Sequence, residues 1–291
     1  MNEQSIYKSA AGETAVRALY NEALSHWPIP YTPLDIATRH GRTFGLSCGD
    51  VTAPPLLLLH GAGTNSAIWA GDVVVYGRSH HIIAVDLLGE AGQSAPNRPP
   101  WDSPAYAEWL LDVLDYLELP AAAVVGMSQG GWTAVKFAVA YPERVNRLGL
   151  ICPGGIVPDK LSFLLRVIPL SVMGQWGSRR MVRLLYGRQP IPDGVEEIMI
   201  TVTRHFKARM GVLPIFTDDE LRRLTMPTLL VGGALDALRD MTKIAERLRP
   251  LLPHFSATIL PDAGHVVLDS VSVIAPFLLA ADAHMTPEIL T

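Results

Sequence analysis

The chain has 291 residues, 49% of them hydrophobic and 18% charged, with a formal net charge of -4. That balance supplies a large buried core and excludes a disordered chain. So mild a charge gives no argument for a nucleic-acid or anionic-membrane partner, and no long Lys/Arg run suggests a phosphate-reading patch.

Residues 12–25 carry Val16, Leu19, Tyr20 and Leu24 at helical spacing. Pro28, Pro30 and Pro33 then force an extended segment. Residues 34–39 and 43–47 flank Gly41 as a hairpin. From Leu56 onward, short apolar runs alternate with amphipathic stretches. Strands are predicted at 56–59, 81–86, 121–125, 145–151, 228–231 and 257–260. Helices are predicted at 103–117, 132–141 and 241–248. This alternation means an α/β fold, a mainly parallel sheet with helices on both faces. The strands are apolar throughout, as covered sheet faces require.

One stretch breaks the rhythm. Roughly seventy residues, 154–224, separate two of the strands, too many for a simple crossover. They are rich in Leu, Met and Arg, broken by Pro158, Pro169, Pro190, Pro192 and Pro214, and read as a helical cap or lid. The core is then 1–153 with 225–291. Arg179, Arg180 and Arg183 are expected on a solvated helix face.

The chemistry starts at Gly126-Met127-Ser128-Gln129-Gly130, which ends a strand and opens a helix. A serine that must attack has to project from a sharp strand-to-helix turn, and small flanking residues let that turn form. The helix N-terminus favours negative charge there. His60-Gly61-Ala62-Gly63 follows the first parallel strand. A loop there supplies one oxyanion-hole N–H, and the residue after the nucleophile supplies the other. Those positions are Ala62 and Gln129. A rival reading takes Gly61, Gly63 and Asp86 as a dinucleotide fingerprint, but Ser66 stands where its third glycine belongs.

The acid must end a later strand, which selects Asp236, with Asp240 as fallback. His265, in Pro261-Asp262-Ala263-Gly264-His265, lies at the end of the last strand, where a base reaches Ser128. His265 takes the serine proton and Asp236 orients the imidazole. Neither H-E-x-x-H nor C-x-x-C occurs, so no metal or cofactor is expected. Residues 86–94 read as a structural turn held by Asp86 and Ser94.

The two cysteines, Cys48 and Cys152, are too few for a disulfide scaffold and fit reduced thiols. The polar start lacks the segments of a signal peptide, and no apolar run reaches the roughly 18 residues that cross a bilayer. The expectation is a soluble cytoplasmic protein acting on a small-molecule ester, with no nucleic-acid or membrane partner.

Together, HGAG at 60–63, VDLLGEAGQS at 85–94, GMSQGG at 126–131, the stretch ending at Asp236 and PDAGH at 261–265 make the chain resemble the α/β-hydrolase superfamily from about Leu34 onward. The resemblance implies the α/β-hydrolase fold and, because position 128 is serine, an ester hydrolase rather than an epoxide hydrolase or dehalogenase. The 86–94 loop is one residue longer than the usual pattern, and a proline-rich lead-in surrounds Trp27–Tyr31. Both are similar to serine esterases that include the Est-type macrolide esterases, which open 16-membered lactones and confer antibiotic resistance. That resemblance implies a macrolactone substrate. Trp69, Met127, Trp132, Met173 and Trp176 are candidate substrate contacts, and Met181, Met199, Phe206 and Met210 further ones. Two alternatives stand beside it: a general carboxylesterase or C–C bond hydrolase acting on small metabolites, and a hydrolase-fold small-molecule receptor.

Overall fold

The computed structural model describes residues 5–209 and 211–280, so Met210 lies outside the described residues. Helix α1 (Ala10–Ser25) begins at Ser9, whose hydroxyl accepts the Gly12 N–H, and buries Val16, Tyr20 and Leu24. Strands β1 (Tyr31–Ile36) and β2 (Thr43–Cys48) form an antiparallel pair. The first strand begins ahead of the expected 34–39 because the prolines already hold the backbone extended. β1 is an edge strand, where the missing N–H of Pro33 is tolerated.

The chain continues through β3 (Pro55–Leu59), α2 (Val73–Tyr76), β4 (His81–Val85), α3 (Ala105–Tyr116), β5 (Ala122–Met127), α4 (Gln129–Ala140) and β6 (Val145–Ile151). Four helices follow, α5 (Leu161–Ser171), α6 (Gly174–Tyr186), α7 (Val195–His205) and α8 (Asp218–Leu221). The chain then returns to the sheet through β7 (Thr228–Gly233), α9 (Met241–Leu248), β8 (Phe255–Leu260) and α10 (Ser270–Leu279). The eight strands lie in the order β1-β2-β4-β3-β5-β6-β7-β8. All pairs from β4 across to β8 are parallel. This is the α/β-hydrolase fold, and the parallel strands bring their carboxyl ends to one edge, where ligands bind in open α/β sheets.

Three differences from the sequence reading have physical causes. α4 begins at Gln129, three residues before the expected helix, because Gly130 and Gly131 weaken the helix signal yet are needed there for close packing. β5, β7 and β8 are longer than expected because their pairing runs on, as in Met127 opposite Ile151 and Gly233 opposite Leu260. α10 was not expected: its sequence is nearly all apolar and hides the helical period, and burial of Ile274, Phe277 and Leu278 sets its conformation.

Between β6 and β7, α6 packs against both α5 and α7, and α7 reaches back to α1. Tyr7 and Phe206 meet edge-to-face there, with ring centroids 5.9 Å apart. The arginines of α6 are not all simply solvated. Arg183 donates to the carbonyls of Gly187 and Gln189 and closes the end of the helix. Arg179 pairs with Glu196. Among the described residues, no helix is long and apolar enough to cross a membrane.

Candidate active site

Ser128 sits between β5 and α4 with φ 52° and ψ -109°, a region that side chains rarely occupy. The turn closes because its neighbours lack side chains. A Cβ at Gly126 would stand 2.4 Å from the Gly130 carbonyl oxygen, and one at Gly130 would stand 2.3 Å from that of Leu59. Backbone bonds from Ser128 N–H to Ile151 O and from Gly154 N–H to Ser128 O pin the turn to the end of β6.

His265 and Asp236 reach this serine from the ends of β8 and β7. Ser128 Oγ lies 2.9 Å from His265 Nε2, and His265 Nδ1 lies 2.8 Å from Asp236 Oδ2. With its proton on Nδ1, the imidazole donates to the carboxylate and accepts from the hydroxyl. The other Asp236 oxygen accepts the N–H groups of Leu238 and Arg239. Burial pushes the Asp236 carboxyl up, but the His265 imidazole and these hydrogen bonds outweigh it and leave it below the ordinary carboxylate range. Asp240 does another job: it caps α9 by accepting the Lys243 N–H.

Cys152 joins this cluster, and ligand atoms of Cys152, Asp236 and His265 all lie within 4.8 Å of one another. The group suits proton movement better than a metal. The facing Asp236 oxygen is taken by His265, and burial pushes the Cys152 thiol up, against the thiolate a metal needs.

The loop after β3 packs beside Ser128: a Cβ on Gly61 would stand 3.6 Å from Ser128 Cβ. His60 shapes this loop. Its Nδ1 faces the Gly61 carbonyl at 2.8 Å, and its Nε2 accepts the Leu87 N–H. Burial pushes its pKa down and keeps it neutral for both roles. Among the described residues, the backbone N–H groups of Ala62 and Gln129 have no acceptor within the protein, so both are free to meet an oxyanion.

Two residues of the site escaped the sequence reading. Glu90 is buried, and its carboxylate accepts the Gly63 N–H at 2.7 Å and the Gln129 side-chain N–H at 3.0 Å. One side chain thus ties the loop bearing Ala62 to the residue after Ser128. Burial pushes the Glu90 carboxyl up, opposed by the two hydrogen bonds and by Arg98 and Arg209. The longer 86–94 loop was a visible signal, but its reading was structural. Glu90→Gln is expected to lower kcat by about tenfold to a hundredfold with little change in KM. The amide keeps one acceptor oxygen and turns a donor toward a donor. Steady-state kinetics on one ester check this, and an unchanged kcat would remove Glu90 from the site.

Arg239 is the second. It is buried, with Nη1 3.3 Å from Ser128 Oγ and 3.1 Å from the Cys152 carbonyl, while Nε pairs with Asp159 at 2.7 Å. Nothing in the local pattern marks it: it lies three residues after Asp236, and its partners come from other loops.

The structural reading of the 86–94 turn agrees with its contacts. Asp86 is fully buried and accepts from Tyr20, Ser66 and Gln93, while Ser94 bonds the Asp86 carbonyl. So enclosed a carboxylate has no room for a ribose, which ends the dinucleotide reading.

The expected substrate contacts divide. Trp69 and Trp132 are 0% and 1% exposed and belong to the core. Trp132 donates its indole N–H to Pro214 O and packs on Phe216, Trp101 and Tyr106, so both tryptophans are corrected to packing residues. Their closeness to the site in sequence reflects the layer beneath it. Met127, 8% exposed, packs near Gly61. Phe206 is buried against Tyr7, and Met181 and Met199 are half-buried away from the cavity wall. Met173 and Trp176 line a cavity of about 990 Å³ that Asp236 also lines.

Comparison with known proteins places these features in context. A family model described as "Alpha/beta hydrolase family" matches residues 56–276. Carboxylesterase YbfK of Bacillus subtilis is 31% identical over 274 residues, covering 89% of this chain and 90% of its own. A second Bacillus subtilis protein, the uncharacterized carboxylesterase nap, is 30% identical over 257 residues, covering 85% of each chain. The crystal structure of carboxylesterase CesB (YbfK) from Bacillus subtilis is similar with a TM-score of 0.83 at 27% identity, covering 93% of this chain and 99% of that one.

Proposed function

The chain belongs to the alpha/beta hydrolase family, and from that premise we propose that it is a serine carboxylesterase with Ser128 as nucleophile, His265 as base and Asp236 as the acid that orients it. The observation that carries this is the unbroken line from Ser128 Oγ through His265 to Asp236, with contacts of 2.9 and 2.8 Å. Ser128 Oγ attacks the ester carbonyl carbon while its proton passes to His265 Nε2. The carbonyl electron pair moves onto oxygen, where the Ala62 and Gln129 N–H groups hold the charge. Collapse breaks the bond to the alcohol, which leaves with the proton from Nε2. Water then gives its proton to His265 and attacks the acyl-enzyme, and Ser128 recovers its hydrogen as the carboxylic acid departs. Arg239 adds a fixed positive charge beside the oxygen that attacks.

Residues 154–224 serve as the cap over this site in our reading, with Met173 and Trp176 on the substrate side. Action in the cytoplasm is supported by Cys48 and Cys152, both buried and free. The finer reading, a macrolactone substrate, rested on two loop features. One has a local role here, since the extra length of the 86–94 loop carries Glu90. General ester hydrolysis is therefore the reading carried forward.

The test is mass spectrometry of a panel of simple esters and a 16-membered macrolactone after incubation with the protein. We expect many turnovers per molecule on simple esters, each product a gain of one water. A single slow turnover would favour the receptor reading, and no hydrolysis of any ester would overturn the esterase. Macrolactone opening would restore the finer assignment.

A further inference from the structure

The chain is acidic as a whole, with a net charge of -4, yet the cavity beside the Asp236 loop is basic. Lys160, Arg166, Arg180, Arg183 and Arg188 stand on its wall, and Asp236 is the only carboxylate among the lining residues. Asp236 is already engaged by His265 and two backbone N–H groups.

The positive charge is left largely uncompensated. Lys160 and Arg183 bond to backbone carbonyls, which satisfy their N–H groups without cancelling charge. Arg188 faces Asp262 at 3.5 Å with both side chains well exposed, a weak pair. Arg180 lies over the Trp176 ring at 5.3 Å, and among the described residues neither it nor Arg166 has a carboxylate partner. A concave wall with one sign of charge concentrates ligands of the other sign. The same wall holds Leu165, Met173 and Trp176, so hydrocarbon surface lies between the cations.

The cavity meets the site at Asp236, which His265 links to Ser128. Lys160 Nζ donates to the Asp236 carbonyl at 2.8 Å. The neighbouring Asp159 holds Arg239, which touches Ser128 Oγ. A ligand with its scissile carbonyl at Ser128 and an arm long enough to pass the Asp236 loop meets the cations of α5 and α6.

We propose that the substrate is an ester carrying a carboxylate on an aliphatic arm, and that this carboxylate seats in the cavity between α5, α6 and the Asp236 loop. The proposal rests on the esterase reading of Ser128. It places amino-sugar macrolactones, which are cationic at neutral pH, among the disfavoured ligands, because the wall repels them.

The experiment measures kcat/KM for monomethyl esters of straight-chain dicarboxylic acids against methyl alkanoates of equal length. A second series puts the carboxylate on the alcohol side, so the two show which arm enters the cavity. We expect the anionic member of at least one series to be favoured by about tenfold or more, mostly through KM. Raising the ionic strength from about 0.02 to 0.5 M should shrink that advantage. Combined Arg166→Gln and Arg180→Gln should bring the ratio of the two rates close to one. A ratio taken on one sample does not depend on how much of the variant is folded. Equal rates in the wild-type protein, or a ratio untouched by the double variant, would overturn this inference and leave the esterase standing. Hydrolysis of neither ester type would overturn both.

Discussion

Ser128→Ala is expected to lower kcat by about 10⁶, the usual cost of removing a serine nucleophile. Alanine keeps the small side chain that the turn between β5 and α4 accepts, so the backbone bonds to Ile151 and Gly154 persist. Only the hydroxyl goes, and with it the partner of His265 Nε2 and one of several acceptors of Arg239. The loss should therefore appear in turnover and not in folding. Steady-state hydrolysis of a simple ester, with circular dichroism on the same sample, separates the two. A variant that kept even about one part in a hundred of the wild-type kcat would require another nucleophile.

Asp236→Asn is expected to cost about 10⁴ in kcat, by analogy with the same change in serine proteases. An amide can donate to His265 Nδ1, which then holds its proton on Nε2. That tautomer cannot accept from Ser128. The substitution also removes a carboxylate whose pKa is held below the ordinary range. Such a group stabilises the fold above its unfolded pKa of about 3.9 and loses that contribution as pH falls through its lower folded value. The Asn variant should lack this part of the acid sensitivity, which thermal melts between about pH 2 and 5 would show. A variant with near wild-type kcat would place the orienting acid elsewhere, contrary to the hydrogen bond of 2.8 Å.

The legible parts of the site are those whose chemistry depends on backbone shape. Gly126, Gly130 and Gly131 flank a serine at a strand-to-helix junction, and no other residue type fits where Gly130 meets Leu59. Asp236 and His265 could be chosen because parallel strands deliver their loops to one edge, so strand order alone limits which residues can meet. Glu90 and Arg239 were not legible in this way. Each acts through a side chain that crosses to another loop, Glu90 to Gly63 and Gln129, Arg239 to Ser128 and Asp159. Trp69 and Trp132 show the opposite error, since nearness in sequence to the catalytic loops put them in the core layer below and not on the cavity wall.

By itself the sequence determined the α/β architecture, the strand ends that carry Ser128, Asp236 and His265, and the loop at 60–63 that follows the first parallel strand. All of these follow from local periodicity and from backbone constraints that a few neighbouring residues impose. Only the tertiary structure decided that Glu90 clamps two loops, that Arg239 stands beside Ser128, and that scattered cations from 160 to 188 face one cavity. A buried charge or a shared wall is a property of distances between elements, and nothing in a local window sets those distances.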